Sequence, residues 1–318
     1  MKFDQSKKIL VLGRAGIDIY PEPSGTKIAD VSHFSSHLGG SAANTCVALK
    51  QHGVQSDLVT CVSDDAIGEY IINKLESYGI GTEHCKKIDK SFQTQIAVVE
   101  TILKNNQSIL YRNNSCDLQL SNEMIEKINY DEYSALFISG TALSSEPSRS
   151  SVFLASKRAI EANIPQIIDL DYRPYNWESD EMKSVIYKKI MNNVDIIIGN
   201  DLEFNIADNS SEGFNFAKNL IKNKPSIIIY KKGEKGSELI TKDKISSHGV
   251  YSVDAIKPTG AGDAFNGGFI SSIIKGISLE QSLQFGSATA AIVVTRVGCS
   301  SAMPSHEEVK KFIKENLF

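Results

Sequence analysis

Residues 257–268 are KPTGAGDAFNGG, and a stretch with helical apolar periodicity follows them. Gly260, Ala261 and Gly262 carry little or no side chain, so the backbone there can approach a ligand closely. The first N–H groups of a helix have no partner within it and therefore favour an anion such as a phosphate. In the first helical turn, Asp263 would be placed to accept a proton from a hydroxyl group that attacks a phosphoryl group. The segment predicts a phosphate cradle with an adjacent base, although a glycine-rich turn before an ordinary helix has the same pattern.

Two widespread nucleotide-binding motifs do not fit this chain. The glycines at 260 and 262 are not completed by the third glycine of G-x-G-x-x-G, and no G-x-x-x-x-G-K-[ST] segment is present. Both a Rossmann dehydrogenase and a P-loop enzyme are therefore disfavoured.

A second glycine pair opens another helical segment. Gly39 and Gly40 precede a stretch with helical character that ends at Gly53. Near its start, Asn44 has an amide that can hydrogen-bond to a sugar hydroxyl. Taken alone, this segment more often indicates a plain helix N-terminus.

Composition excludes several classes of protein. The 318 residues contain 34 Lys and Arg against 38 Asp and Glu, a formal net charge of −4, which gives no overall attraction to nucleic acid or anionic lipid. The apolar runs are far shorter than the roughly 18 residues that a membrane span requires. Five cysteines without a C-x-x-C pair indicate reduced thiols in a cytoplasmic chain. We expect no nucleic-acid partner, no membrane partner and no signal peptide.

Short aliphatic runs alternate with segments of helical period. The predicted strands are Ile9 to Leu12, Leu58 to Val62, Ala135 to Ser139, Gln166 to Leu170, Val194 to Ile198 and Ser226 to Tyr230. A capping-box pattern, Ser305 and Glu308, precedes the last helical segment. The alternation predicts an α/β fold with a doubly wound, mostly parallel sheet and helices on both faces.

Two stretches interrupt this alternation. Residues 16–38 are polar and rich in turn residues, and residues 93–112 alternate as two strands about a turn at 104–107. We expect the two insertions to form a small β lid on a single domain that spans residues 1–318. A lid would be placed to close on a ligand at the carboxyl ends of the strands.

Polar residues follow several of the predicted strands. Asp18 comes just after the first strand, and residues 169–173, 200–203 and 231–236 follow three later ones. In a parallel sheet these carboxyl ends share one edge, so the segments could meet there although they are distant in sequence.

Three ordered motifs resemble the PfkB, or ribokinase-like, family of carbohydrate kinases. They are residues 258–268, residues 39–44 and the N-x-x-E element formed by Asn200 and Glu203. The resemblance implies a ribokinase-like fold and ATP-dependent, magnesium-dependent phosphorylation of a sugar hydroxyl. It also implies a role for each matching residue: Asp263 as base; the Gly260, Ala261 and Gly262 amides as anion hole; Asp18, Gly39, Gly40 and Asn44 as sugar contacts; Asn200 and Glu203 as support for Mg²⁺ through water; and Lys231, Gly233, Gly236, Gly260 and Gly262 as ATP contacts.

Further segments resemble a subgroup of the family whose substrate is a sugar acid. They are residues 13–22, 144–149, 169–174 and 299–304. Guanidinium groups suit a substrate carboxylate, and Arg112 and Arg173 are the candidates, with Arg14 after them. Kinases of other keto sugar acids or of fructose, and a sugar-binding regulator without catalytic activity, remain alternatives.

One position departs from the family pattern. Many members have an acidic residue where this chain has Lys257, and there it helps to bind a monovalent cation behind the anion hole. A lysine cannot ligate a cation, so we expect its ammonium to replace the ion and activity to be independent of potassium. The strand edges of the lid could also pair with a second copy of the chain, giving a homodimer.

Overall fold

The computed structural model describes residues 2–103, 105–174 and 176–316. These residues form thirteen strands and ten α-helices. The strands are β1 (Lys8–Leu12), β2 (Gly16–Glu22), β3 (His33–Gly39), β4 (Ser56–Ser63), β5 (Cys85–Ile88), β6 (Gln95–Val99), β7 (Ser108–Tyr111), β8 (Tyr133–Ser139), β9 (Gln166–Asp169), β10 (Ile196–Asn200), β11 (Ile227–Lys231), β12 (Ser237–Ile240) and β13 (Ile245–His248). The helices are α1 (Ser41–Gln51), α2 (Ala66–Ser77), α3 (Asn122–Glu126), α4 (Ser148–Glu161), α5 (Asp180–Met191), α6 (Asp201–Asp208), α7 (Gly213–Leu220), α8 (Ala261–Ile274), α9 (Leu279–Val293) and α10 (His306–Glu315).

The chain divides into two compact units. The first contains the N-terminal segment up to Gly13 together with Leu118–Val250, and the second contains Arg14–Asp117 and the chain from Tyr251 onward.

The first unit is built on a sheet with the strand order β13-β12-β11-β10-β9-β8-β1. The strands from β11 to β1 in this order run parallel. Strand β12 pairs antiparallel with β11, and β13 pairs antiparallel with β12 at the edge of the sheet. Ile9–Leu12 and the isoleucines of β10 have no exposed surface. Strands covered on both faces are continuous aliphatic runs, which is why the sequence pattern located them. Each fully buried isoleucine stabilises the fold by about 1.5–3 kcal/mol.

The second unit has two strand groups. Strand β4 pairs in parallel with β5, while β3, β2, β6 and β7 form a separate four-stranded sheet in that order. In this small sheet β2 is antiparallel to β3 and parallel to β6, and β6 forms a hairpin with β7. Helix α8 packs against both α1 and α9, and α1 contacts β3 and β4.

The predicted α/β class, with a doubly wound, mostly parallel sheet and flanking helices, is confirmed. The two insertions do pair in one small sheet, through residues 16–39 and 95–111; that this sheet acts as a lid, and that the chain is a single domain, stay predictions. Lys104, the first residue of the predicted hairpin turn, lies outside the described residues. No helix in the described part of the chain has the length and hydropathy needed to cross a membrane.

Candidate active site

The glycine-rich segment turns into helix α8 through a left-handed residue. Gly260 is the N-cap of α8 with φ of 86°. A Cβ atom at this position would lie 2.9 Å from Cys299 Sγ, so both the backbone conformation and the close neighbour require glycine. Ala261 and Gly262 begin the helix and Asp263 lies in its first turn, half-buried. The structure therefore has the helix start that the sequence predicts, with a carboxylate beside it.

A second helix supports this carboxylate. Asn44 lies in α1, is 3% exposed, and its Nδ2 donates a 2.9 Å hydrogen bond to Asp263 Oδ2. Helices α1 and α8 pack together, which brings together two residues 219 positions apart in the chain. The bond orients the Asp263 carboxylate at the start of α8.

The prediction that Asp18 lies at the carboxyl end of the first strand is wrong: it lies within β2 of the small sheet, directly against the end of β3. A Cβ atom at Gly39 would overlap the Asp18 carboxylate, and one at Gly40 would lie 2.6 Å from the carbonyl oxygen of Arg14. Burial raises the pKa of Asp18 above its ordinary value, and the charge of Arg14 and the neighbouring Cys299 oppose that rise. Thus Asp18, Gly39 and Gly40, all predicted sugar contacts, lie together in the second unit.

Two arginines of this unit are buried. Arg14 Nη1 donates a 2.8 Å hydrogen bond to Gln95 Oε1. Arg112 donates through Nε and Nη2 to Asp117, with Nε 3.2 Å from Oδ2. Burial raises the pKa of Asp117, but the charge and hydrogen bonds of Arg112 more than offset this and hold it below the usual range. A substrate carboxylate at Arg112 would therefore have to share the guanidinium with Asp117.

Lys257 has no exposed surface, and its ammonium lies behind the start of α8. Its Nζ donates to the carbonyl oxygen of Thr259 at 2.6 Å and to that of Val293, the last residue of α9, at 3.5 Å. Burial lowers the pKa of Lys257, while the neighbouring Cys299, Asp18 and Asp263 oppose that shift. A cation here suits carbonyl groups at a helix C-terminus.

In the first unit, three predicted site residues lie at adjacent strand ends. Asp169 ends β9, Asn200 ends β10 and Lys231 ends β11, with Asn200 directly opposite Lys231. Lys231 Nζ is 3.5 Å from Asp169 Oδ1, and both side chains are largely buried. The predicted meeting of carboxyl ends therefore holds for these strands.

The N-x-x-E element is the capping box of α6. Asn200 Oδ1 accepts the Glu203 N–H at 2.9 Å, and Glu203 Oε2 accepts the Asn200 N–H at 2.8 Å. The other carboxylate oxygen, Oε1, accepts the N–H of Tyr172 at 3.0 Å. Burial and the charge of Asp169 raise the pKa of Glu203. Because both carboxylate oxygens already accept backbone N–H groups, this residue is suited to contact a metal ion through water.

Arg173 is at the surface of the same unit. Its side chain is 41% exposed and forms a 2.9 Å ion pair with Asp171 Oδ1. Its Nη1 also donates to the Tyr172 carbonyl, and the indole of Trp177 donates to the Arg173 carbonyl at 3.0 Å. Like Arg112, this guanidinium already has an acidic neighbour.

The predicted nucleotide segment after β11 is a tight turn. Gly233 and Gly236 have φ of 57° and 85°, and Lys232 N–H donates to the Gly236 carbonyl at 2.8 Å. Gly233–Lys235 forms a short 3-10 helix that ends directly before Gly236. The turn exposes backbone at the end of a parallel strand, which is where ligands of open α/β sheets bind.

The chain belongs to the pfkB family of carbohydrate kinases, whose sequence profile matches residues 6–306. Curated relatives that match nearly all of it carry a more specific name, 5-dehydro-2-deoxygluconokinase. The one from Photobacterium profundum is 34% identical over 317 residues, which are 98% of this chain and 96% of the relative. The one from Clostridium tetani is 34% identical over 324 residues, 99% of this chain and 96% of the relative.

Solved structures share the fold. Fructokinase from Xylella fastidiosa, crystallised with bound ATP, superposes with a TM-score of 0.85 at 21% identity over 97% of this chain and 98% of its own. Aminoimidazole riboside kinase from Salmonella enterica, complexed with aminoimidazole riboside and an ATP analogue, gives 0.82 at 20% identity over 96% and 99%. The predicted ribokinase-like fold is confirmed.

The sequence pattern assigned no role in the site to three buried residues beside it. Gln95 binds Arg14, and Tyr20 and Cys299 lie within hydrogen-bond distance of each other beside Asp18. The alternation of a strand could have indicated Tyr20, because it shares a face with Asp18 two residues earlier. Cys299 begins the segment 299–304 that resembles the sugar-acid subgroup, but no local pattern indicated its contact with Tyr20, 279 positions away.

Proposed function

We propose that the protein phosphorylates the primary hydroxyl of 5-dehydro-2-deoxy-D-gluconate with ATP, giving the 6-phosphate, a step of inositol catabolism. The observation that carries the proposal is the Asp263 carboxylate in the first turn of α8, oriented by Asn44 next to a left-handed glycine N-cap. The shared name of relatives that cover almost the whole chain supports this substrate. Such an enzyme would act in the cytoplasm, consistent with five free cysteines.

The residues of the second unit would carry the proton transfer. Asp263 accepts the proton of the primary hydroxyl as the oxygen attacks the γ-phosphorus, and the bond from that phosphorus to the β,γ-bridging oxygen breaks, leaving ADP. The N–H groups of Gly260, Ala261 and Gly262 stabilise the negative charge at the start of α8. Asp18, Gly39, Gly40 and Asn44 bind the sugar and hold its hydroxyl in line.

Magnesium bound to ATP would neutralise charge on the phosphates. Asn200 and Glu203 would hold this ion through water, which fits a carboxylate whose oxygens already accept two backbone N–H groups. Lys231 and the turn at Gly233 and Gly236 would bind the nucleotide.

The sugar carboxylate would bind to a guanidinium. Arg173 is our first candidate, because it is partly exposed and can turn toward a ligand, and Arg112 is the second. A carboxylate that shares either arginine with its acidic neighbour would still gain charge-assisted hydrogen bonds.

The test is ADP release over a panel of 5-keto and 2-keto sugar acids and neutral ketoses. We expect turnover to be highest with 5-dehydro-2-deoxy-D-gluconate and to fall at least a thousandfold in Asp263→Asn, with the exposed Asp131→Asn as control. Preference for 2-keto-3-deoxygluconate or fructose would move the assignment to those kinases. Ligand-induced stabilisation without ADP release would favour a non-catalytic sugar-binding regulator.

We also propose that the small sheet is a lid and that it joins two copies of the chain. Register places the side chains of Phe34, Pro21, Ile96 and Tyr111 on one face of this sheet. Phe34 is 49% exposed and Tyr111 61%, so the face offers apolar surface to a partner. A dimeric mass at micromolar concentration, lost in Phe34→Ser with Tyr111→Ser, is expected; a monomeric wild type would refute the dimer.

A further inference from the structure

Strand β2 presents a tyrosine next to the proposed sugar-binding carboxylate. Asp18 and Tyr20 are two residues apart and therefore share one face of the strand. Tyr20 has no exposed surface, and its hydroxyl oxygen lies 3.2 Å from Cys299 Sγ. The tyrosine ring is edge-on to His37 of β3, with ring centroids 5.3 Å apart. The contacts with Cys299 and His37 restrict the orientation of the phenol.

The cysteine at the other end of this contact belongs to a loop that touches the proposed anion hole. Cys299 has no exposed surface, and its Sγ lies against Gly260, the N-cap of α8. The loop is tied to β3 by two hydrogen bonds: Ser300 Oγ donates to the Leu38 carbonyl at 2.7 Å, and Ser301 Oγ lies 2.8 Å from His37 Nδ1. The Cys299 side chain thus bridges the small sheet and the start of α8.

Asp18 depends on its neighbours because it is only 5% exposed. A buried carboxylate requires hydrogen-bond donors or positive charges to remain ionised. Burial raises its pKa, and the neighbouring Arg14, Cys299, Lys257 and Tyr20 act in the opposite direction. Burial also raises the pKa of Cys299 to about 12, so the thiol stays protonated and able to donate.

We propose that Tyr20 and Cys299 are positioning residues for sugar binding: as a hydrogen-bonded pair they direct one proton, from the O–H or the S–H group, to the Asp18 carboxylate, and the thiol sets its spacing from the turn at Gly260. The inference rests on the proposed function and deepens it. Neither side chain touches the sugar. They act through Asp18, so their loss should affect the sugar far more than ATP.

Tyr20→Phe removes the hydroxyl and keeps the ring. With the panel sugar that the wild type phosphorylates best, we expect KM for the sugar to rise about five- to tenfold, the loss expected for one hydrogen bond. KM for ATP should change less than twofold. Loss of a donor also raises the pKa of a carboxylate, so the acid limb of the kcat/KM profile for the sugar should move to higher pH. Tyr130→Phe is the matched control, because that buried hydroxyl has no hydrogen-bond partner among the described residues.

Cys299→Ala tests the second member of the pair, and Cys299→Ser restores a donor. We expect the alanine variant to reproduce the KM and pH changes and the serine variant to reverse most of the pH change, with Cys61→Ser as control. If folded Tyr20→Phe keeps the wild-type sugar KM and pH profile, the inference is wrong. A wild type that phosphorylates no sugar of the panel would instead reject the proposed function.

Discussion

Asn44 Nδ2 and Asp263 Oδ2 are joined by a 2.9 Å hydrogen bond that links helix α1 to the first turn of α8. The donor is one of the proposed sugar contacts and the acceptor is the proposed base. A single side chain can therefore bind the substrate hydroxyls and orient the group that deprotonates one of them.

Removing that amide should impair turnover. Asn44→Ala removes the amide that donates to the Asp263 carboxylate, and we expect kcat to fall about tenfold, together with a higher KM for the sugar. Steady-state kinetics against both substrates provide the measurement, and the exposed Asn219→Ala is the control. An unchanged kcat would mean that the hydrogen bond does not position the base.

Lys257 should make the enzyme independent of potassium. Its buried ammonium already donates to the Thr259 and Val293 carbonyls behind the proposed anion hole. We expect equal turnover in potassium and choline salts. Lys257→Met leaves those carbonyls without the donor, so kcat/KM should fall more than tenfold, whereas the control Lys275→Met should not affect it. Strong activation of the wild type by potassium would contradict this role.

His52 should make the fold sensitive to acid. It has no exposed surface, and neither ring nitrogen has a hydrogen-bond partner within the described residues. Burial, with the charges of His306 and Lys275, lowers the pKa of His52 from 6.5 to about 3. Its neutral form is therefore favoured in the folded state. The stability that the fold gains by keeping His52 neutral is fully present above pH 6.5 and is lost as the pH falls toward 3.

Between pH 7 and pH 5 this residue should reduce the free energy of unfolding by about 2 kcal/mol. Urea unfolding at the two pH values provides the measurement. His52→Leu should show a smaller difference between them, and the exposed His33→Gln should behave as the wild type. Equal pH dependence in the wild type and His52→Leu would show that another group causes the loss.

Glu203 should matter for stability as well as for catalysis. Its carboxylate accepts the backbone N–H groups of Asn200 and Tyr172. In Glu203→Gln the amide can satisfy only one of them with its oxygen, so we expect the free energy of unfolding to fall by about 1–3 kcal/mol. Urea denaturation of this variant and of the exposed Glu69→Gln makes the comparison. A fully stable Glu203→Gln would mean that these hydrogen bonds contribute nothing to the fold.

The two capping patterns show where sequence reasoning stops. Ser305 caps α10 by accepting the Glu308 N–H, as predicted, but the Glu308 carboxylate binds Arg296 and does not complete the box. The complete capping box is Asn200 with Glu203, which family resemblance had indicated only as support for a metal ion. Spacing alone does not tell which acidic side chain has a better partner elsewhere in the fold.

The sequence by itself determined the buried strands, the left-handed glycine before α8 and the helix starts. These depend on aliphatic runs, on φ and on capping, all of which act over a few residues. Only the tertiary structure decided that Arg112 is paired with Asp117, that the ammonium of Lys257 reaches the end of α9, and that Cys299 lies between Tyr20 and Gly260. The strengths of these contacts depend on distance and burial, and folding sets both between residues that are mostly far apart in the chain.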